Sequence, residues 1–148
     1  MGKKLFSLCM ALVLCLGLLP VTALAAAPNV QKIYVGGEEV TSGGYWATDS
    51  EGKVTSAGTT QPSNNYIHYD AGNNTLTLHN ATIKEEVPLN TSTYVVGAAI
   101  GVINQSGDAG LTITLEGTNT IAEVGKGIYV LASSTSEATL TITSESGG

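Results

Sequence analysis

The chain has 148 residues, of which 43% are hydrophobic and only 12% charged, and its formal net charge is −6 with no arginine at all. So acidic a chain, lacking guanidinium groups, has no surface suited to neutralising phosphates, which argues against nucleic acid and against direct attraction to anionic lipid. The length suits a single domain of ordinary size.

Segment 1–25 is predicted to be a secretory signal peptide. Lys3 and Lys4 give a positive start, Leu5 to Leu19 an apolar core, Pro20 ends that core, and Ala23-Leu24-Ala25 supply small residues for cleavage. The apolar run is shorter than the roughly 20 residues that span a bilayer, so no membrane insertion is expected once the signal is gone. A lipid anchor on Cys15 fits poorly, because Leu14 stands where a small residue belongs. Cys9 and Cys15 are the only cysteines and leave with the signal, so the exported chain is expected to hold no disulfide. Four lysines (Lys32, Lys53, Lys84, Lys126) then face 12 acids, a net charge of −8.

In the mature part, Val30 to Val40 is predicted as two short strands around Gly36-Gly37. The polar stretch Asp49 to Asn65, rich in Gly, Ser, Thr and Asn, is predicted as a long loop. Tyr66-Ile67-His68-Tyr69 is a strand candidate, with Asp70-Ala71-Gly72-Asn73 as the turn that follows it. Residues 26–70 are therefore expected to form an N-terminal cap, and 71–148 a set of repeated strands, truncated at the C-terminus.

The repeat is carried by apolar residues alternating with threonine. Thr75-Leu76-Thr77-Leu78, Leu111-Thr112-Ile113-Thr114-Leu115 and Leu140-Thr141-Ile142-Thr143 each have the period of a strand with one dry face. Leu111 and Leu140 are 29 residues apart, Ile100 and Ile128 are 28 apart, and Leu78 and Leu115 are 37 apart. The near-constant step predicts coils stacked as a parallel β-helix (a β-solenoid), with extra residues inserted between Lys84 and Tyr94. Gly97, Gly101, Gly117 and Gly127 are expected at tight corners. An antiparallel β-sandwich is the alternative, since it also produces short alternating strands.

Tyr69-Asp70, Asn74 to Ile83, the Gly-Ala-Ala-Ile strand at 97–100 and Leu111 to Ile121 together resemble the secreted carbohydrate-binding domains of Gram-positive bacteria. The resemblance implies a right-handed parallel β-helix related in shape to pectate lyases, polysaccharide or cell-wall glycan as partner, and calcium sites in some members. It also implies neighbouring domains in a longer chain, and the sequence stops in mid-repeat at Gly148.

A glycan would be held by exposed rings stacked on sugar faces. The candidates are Tyr45, Trp46, Tyr66 and Tyr69, with Tyr94 and Tyr129 behind them; the competing role for any of these rings is to plug the core. Calcium has Asp70 and Asn73 as its nearest ligand cluster, with Asp49 and Glu51 a second, although such Asx-Gly runs are usually plain turns. His68 and His79 are isolated in sequence, which argues against zinc. No catalytic constellation stands out: no arginine base, no nucleophile turn, and Glu38-Glu39 and Glu85-Glu86 would point to opposite faces of a strand. The expected function is a non-catalytic, secreted or cell-surface polysaccharide-binding module. The alternatives are a structural stalk or adhesin repeat, or a fragment of a polysaccharide-degrading enzyme.

Overall fold

The computed structural model describes residues 31–90 and 95–145. The predicted signal peptide and the start of the predicted cap lie outside them, as does Tyr94.

Fourteen strands follow in chain order: β1 (Lys32–Val35), β2 (Glu38–Glu39), β3 (Gly44–Thr48), β4 (Val54–Gly58), β5 (Tyr66–Asp70), β6 (Thr75–His79) and β7 (Thr82–Ile83). Then come β8 (Val87–Asn90), β9 (Val95–Ala98), β10 (Ile100–Ile103), β11 (Ala109–Glu116), β12 (Thr120–Ile121), β13 (Ile128–Leu131) and β14 (Ala138–Ser144). The described residues are all-β, with no helix and no closed barrel, and the sheets are mixed.

A six-stranded sheet runs in the order β14-β11-β6-β5-β3-β4, and a four-stranded sheet in the order β13-β10-β1-β2. Both change character along their width. β6, β11 and β14 are parallel to one another, as are β10 and β13, and the short β7 and β12. Toward β1 to β5 the pairing is antiparallel throughout. Antiparallel pairing thus gathers around the first five strands, and the β8–β9 pair is its other instance.

The parallel registers join the residues that the repeat singles out. Leu111 lies opposite Leu140, Ile113 opposite Ile142, Ile100 opposite Ile128, and Leu78 opposite Leu115. Period-2 geometry explains why these pairs are so sharply set: a slip of one residue would turn every leucine and isoleucine to solvent and every threonine inward. Leu76, Leu78, Ile113 and Ile67 from the large sheet share one buried cluster with Ile33, Val35, Ile100 and Val102 from the smaller one. The cluster continues through Trp46, Val54 and Ile83.

Asparagines tie neighbouring segments together where strands turn. The Asn74 amide donates to the Gly110 carbonyl at 2.8 Å, and its oxygen accepts from the Tyr69 hydroxyl at 2.9 Å and from the Gln31 amide at 3.0 Å. Asn119 accepts from the Ala81 N–H at 2.8 Å, and Asn80 accepts from the Thr118 N–H at 3.0 Å.

Three local expectations are corrected. The predicted loop at 49–65 contains β4, an edge strand with a single fully buried residue, Val54, so its sequence carries almost no alternation. The 84–94 insertion is no plain loop. It contributes β8, which pairs with β9 as an antiparallel hairpin. Of the four glycines expected at corners, only Gly117 has a left-handed backbone, with φ 66°. Gly101 lies within β10 for a packing reason instead, because a Cβ there would stand 2.5 Å from a Leu89 methyl.

Candidate functional site

Alternation along β3 and β5 decides which of the four candidate rings reach solvent. In Tyr45-Trp46 the first ring lies on the outer face of the six-stranded sheet and the second turns inward, 5% exposed. In β5, Tyr66 and His68 lie outside while Ile67 and Tyr69 are buried, Tyr69 being 6% exposed. Trp46 and Tyr69 are therefore core residues, which removes them as sugar platforms. Burial suits Tyr69 because its hydroxyl is satisfied by Asn74.

Tyr45 and Tyr66 are brought together, and two histidines join them. Tyr45 pairs with His68 across the β3–β5 ladder, and Tyr66 with His79 across β5–β6. The Tyr45 and His68 rings stack at 4.3 Å between centroids with 20° between planes. Tyr66 and His79 stack at 4.7 Å and 8°. An edge-on contact of 5.9 Å between Tyr45 and Tyr66 joins the two stacks into one strip of four half-buried rings. Each stack uses one face of each ring.

Glu116 closes the strip. It is the register partner of His79 on β11, and its Oε2 lies 2.9 Å from His79 Nδ1 and 3.4 Å from the Tyr66 hydroxyl that donates to it. Burial raises the Tyr66 phenol pKa above its ordinary value, and the Glu116 carboxylate raises it further. The phenol is thus held as a donor. The carboxylate fixes the imidazole through Nδ1, so the Tyr66–Glu116–His79 set is rigid and polar.

Beside the strip runs a field of hydroxyls. Thr75, Thr112 and Thr141 are aligned across three parallel strands, and so are Thr77, Thr114 and Thr143. His68 pairs with Thr77, so the strip and the threonines form one continuous face. Thr114 and Thr143 hydroxyl oxygens are 3.4 Å apart. Neighbouring strands lie about 4.8 Å apart and same-face residues about 6.7 Å apart, so these hydroxyls form a regular grid.

The calcium candidates are occupied by their own turn. Asp70 Oδ1 accepts from the N–H groups of Gly72 at 2.9 Å and Asn73 at 3.2 Å, while Oδ2 accepts from the Asn73 side chain at 2.7 Å. These bonds, the Asn73 side chain first, hold the Asp70 pKa below its ordinary value. Asp49 likewise accepts from the N–H groups of Glu51 and Lys53. Among the described residues no group of three or more His, Cys, Asp or Glu side chains is arranged to hold a metal ion.

A separate cleft of about 420 Å³ lies between β1, the β8 strand and the turn after β10, lined by Lys32, Tyr34, Pro88, Leu89 and Gln105 among others. It contains none of the residues singled out from the sequence.

Alternation alone could have separated Tyr45 from Trp46 once a face was assigned, but Glu116 and the two histidines gave no sequence signal as a set. His68 and His79 stand 11 residues apart and Glu116 lies 37 beyond His79, so they meet only through ladder register. No protein-family model, curated protein or solved structure matches the chain.

Proposed function

We propose that the chain is a secreted or cell-surface polysaccharide-binding module, non-catalytic, built on a right-handed parallel β-helix capped at its N-terminal end by antiparallel strands. The observation that carries the reading is the strip of four rings, Tyr45, His68, Tyr66 and His79, lying flush with a grid of threonine hydroxyls. Ring faces and edges contact the C–H surfaces of sugar rings, and fixed hydroxyls and N–H groups match sugar hydroxyls; both are needed where the ligand is amphipathic. The recurring Leu-Thr-Leu and Leu-Thr-Ile segments and the signal-like segment support the Gram-positive surface setting. The ligands are plant or microbial glycans.

The helical scaffold is supported by four parallel ladders, two with steps of 28 and 29 residues and two with steps of 37 and 38. The test of function is retention of the purified chain on immobilised polysaccharides, with Tyr45→Ala and Tyr66→Ala as site variants. Retention that both substitutions weaken upholds the reading, and a folded chain that no polysaccharide retains refutes it. A stalk that spaces other domains is the second reading, favoured by the same parallel ladders; it predicts no retention by any glycan.

A further inference from the structure

We propose that the ring strip selects glycan chains free of carboxylate and sulfate groups, and rejects polyuronates of otherwise similar backbone. The inference rests on the glycan-binding reading and adds to it the ligand's charge class.

The motivation is the distribution of charge around the face. Strands β3, β4, β5, β6, β11 and β14 contain no lysine, and the chain contains no arginine. The four lysines of the mature part stand elsewhere: Lys32 on β1, Lys53 in the turn ahead of β4, Lys84 after β7, and Lys126 ahead of β13. Lys32 and Lys84 are moreover engaged, by Glu39 at 3.4 Å and Glu123 at 2.9 Å.

Acids, by contrast, border the strip on both sides. Glu116 lies at its end, with a side chain 30% exposed. The Glu145 N–H donates to the Leu115 carbonyl at 3.1 Å, which continues the β11–β14 ladder and sets Glu145 beside Glu116. Asp70 lies on the same outer face, in register with Thr75, and its low pKa keeps it ionised. Among the described residues, the groups facing a ligand here are therefore two phenols, two imidazoles and three carboxylates, with no lysine or arginine.

A carboxylate on the sugar would meet like charge with nothing to neutralise it. At the edge of a protein such a contact discriminates by about tenfold, since like charges in contact repel in water and repel more strongly where water is partly excluded. A neutral sugar meets only acceptors and donors that its hydroxyls can satisfy.

The test is affinity electrophoresis of the purified chain through gels containing a β-glucan, a xylan or a galactomannan. Companion gels hold the glucan and galactomannan after oxidation of their primary hydroxyls to carboxylates, and polygalacturonate. The runs are made near pH 8, above the ordinary imidazole range, and at about 10 mM salt, where the Debye length is about 30 Å.

Retention by a neutral polymer is expected, with about tenfold weaker retention by its oxidised form. The gap should narrow at about 0.5 M salt and in Glu116→Gln with Asp70→Asn. Equal or stronger retention by the oxidised polymers or polygalacturonate overturns the charge preference and leaves the glycan reading intact. Retention by none of the polymers, or retention that Tyr45→Ala and Tyr66→Ala leave unchanged, overturns both together.

Discussion

Glu116 on β11 and His79 on β6 are register partners whose side chains meet at 2.9 Å, so a residue of one strand positions an imidazole on the strand beside it. The same carboxylate raises the Tyr66 pKa, second in weight to burial. Glu116→Gln is therefore expected to lower the Tyr66 pKa toward, but not down to, the ordinary 10.0. Titration of the tyrosine ring resonances by NMR reads this directly. An unchanged Tyr66 pKa would mean that the carboxylate does not act on the phenol.

Stability should form a plateau bounded by three identified groups, two phenols and one carboxylate. Tyr66 and Tyr69 have folded pKa values above 10.0, so what their protonated forms contribute is whole below pH 10.0 and is lost as pH rises through the folded values. Asp70 has a folded pKa below 3.8, so its contribution is whole above pH 3.8 and is lost as pH falls through the folded value. Denaturant midpoints measured from pH 3 to 11 should fall at both ends. On the acid side, Asp70→Asn should flatten the decline.

Position within the sheet sets the cost of truncation. Ile113 is 1% exposed between β6 and β14, whereas its partner Ile142 is 52% exposed on the last strand of the sheet. Ile113→Ala is expected to cost about 2–5 kcal/mol. Ile142→Ala, with half of its side chain already in water, should cost about 1 kcal/mol or less. Urea unfolding of the two variants compares identical chemistry at two depths.

Gly101 and Leu89 should behave as a coupled pair. A Cβ at Gly101 meets the Leu89 methyl at 2.5 Å, so Gly101→Ala overpacks the contact between β10 and the β8 strand and should cost about 1–3 kcal/mol. In a Leu89→Ala background the added methyl fills space rather than competing for it. The double-mutant cycle should then give a coupling energy of about 1 kcal/mol in the relieving sense.

Much of the register was legible because alternation and step were both regular. Leu76, Ile113 and Ile142 fall in one row, as a strict period of two with steps of 37 and 29 requires. β4 was not legible, because Val54-Thr55-Ser56-Ala57-Gly58 buries one side chain fully and otherwise has the composition of a loop. β8 was hidden by Glu85-Glu86 ahead of it and Pro88 within it, both of which disfavour a strand on local grounds. Trp46 and Tyr45 were inseparable in the sequence, since adjacent rings in a strand face opposite ways and only the β5 pairing says which way is in. The strip itself depends on three ladders at once, a relation that no local window contains.

The unequal steps of the stack have a consequence for what the fold tolerates. Spanning 37 residues between paired strands instead of 28 adds only a few tenths of a kcal/mol of chain entropy, because the penalty grows with the logarithm of length. The segment joining β8 to β9 could therefore lengthen while the flanking strands keep their registers and Leu89 stays packed on Gly101. It is the natural place to graft a foreign peptide, and the place where related chains would be free to diverge.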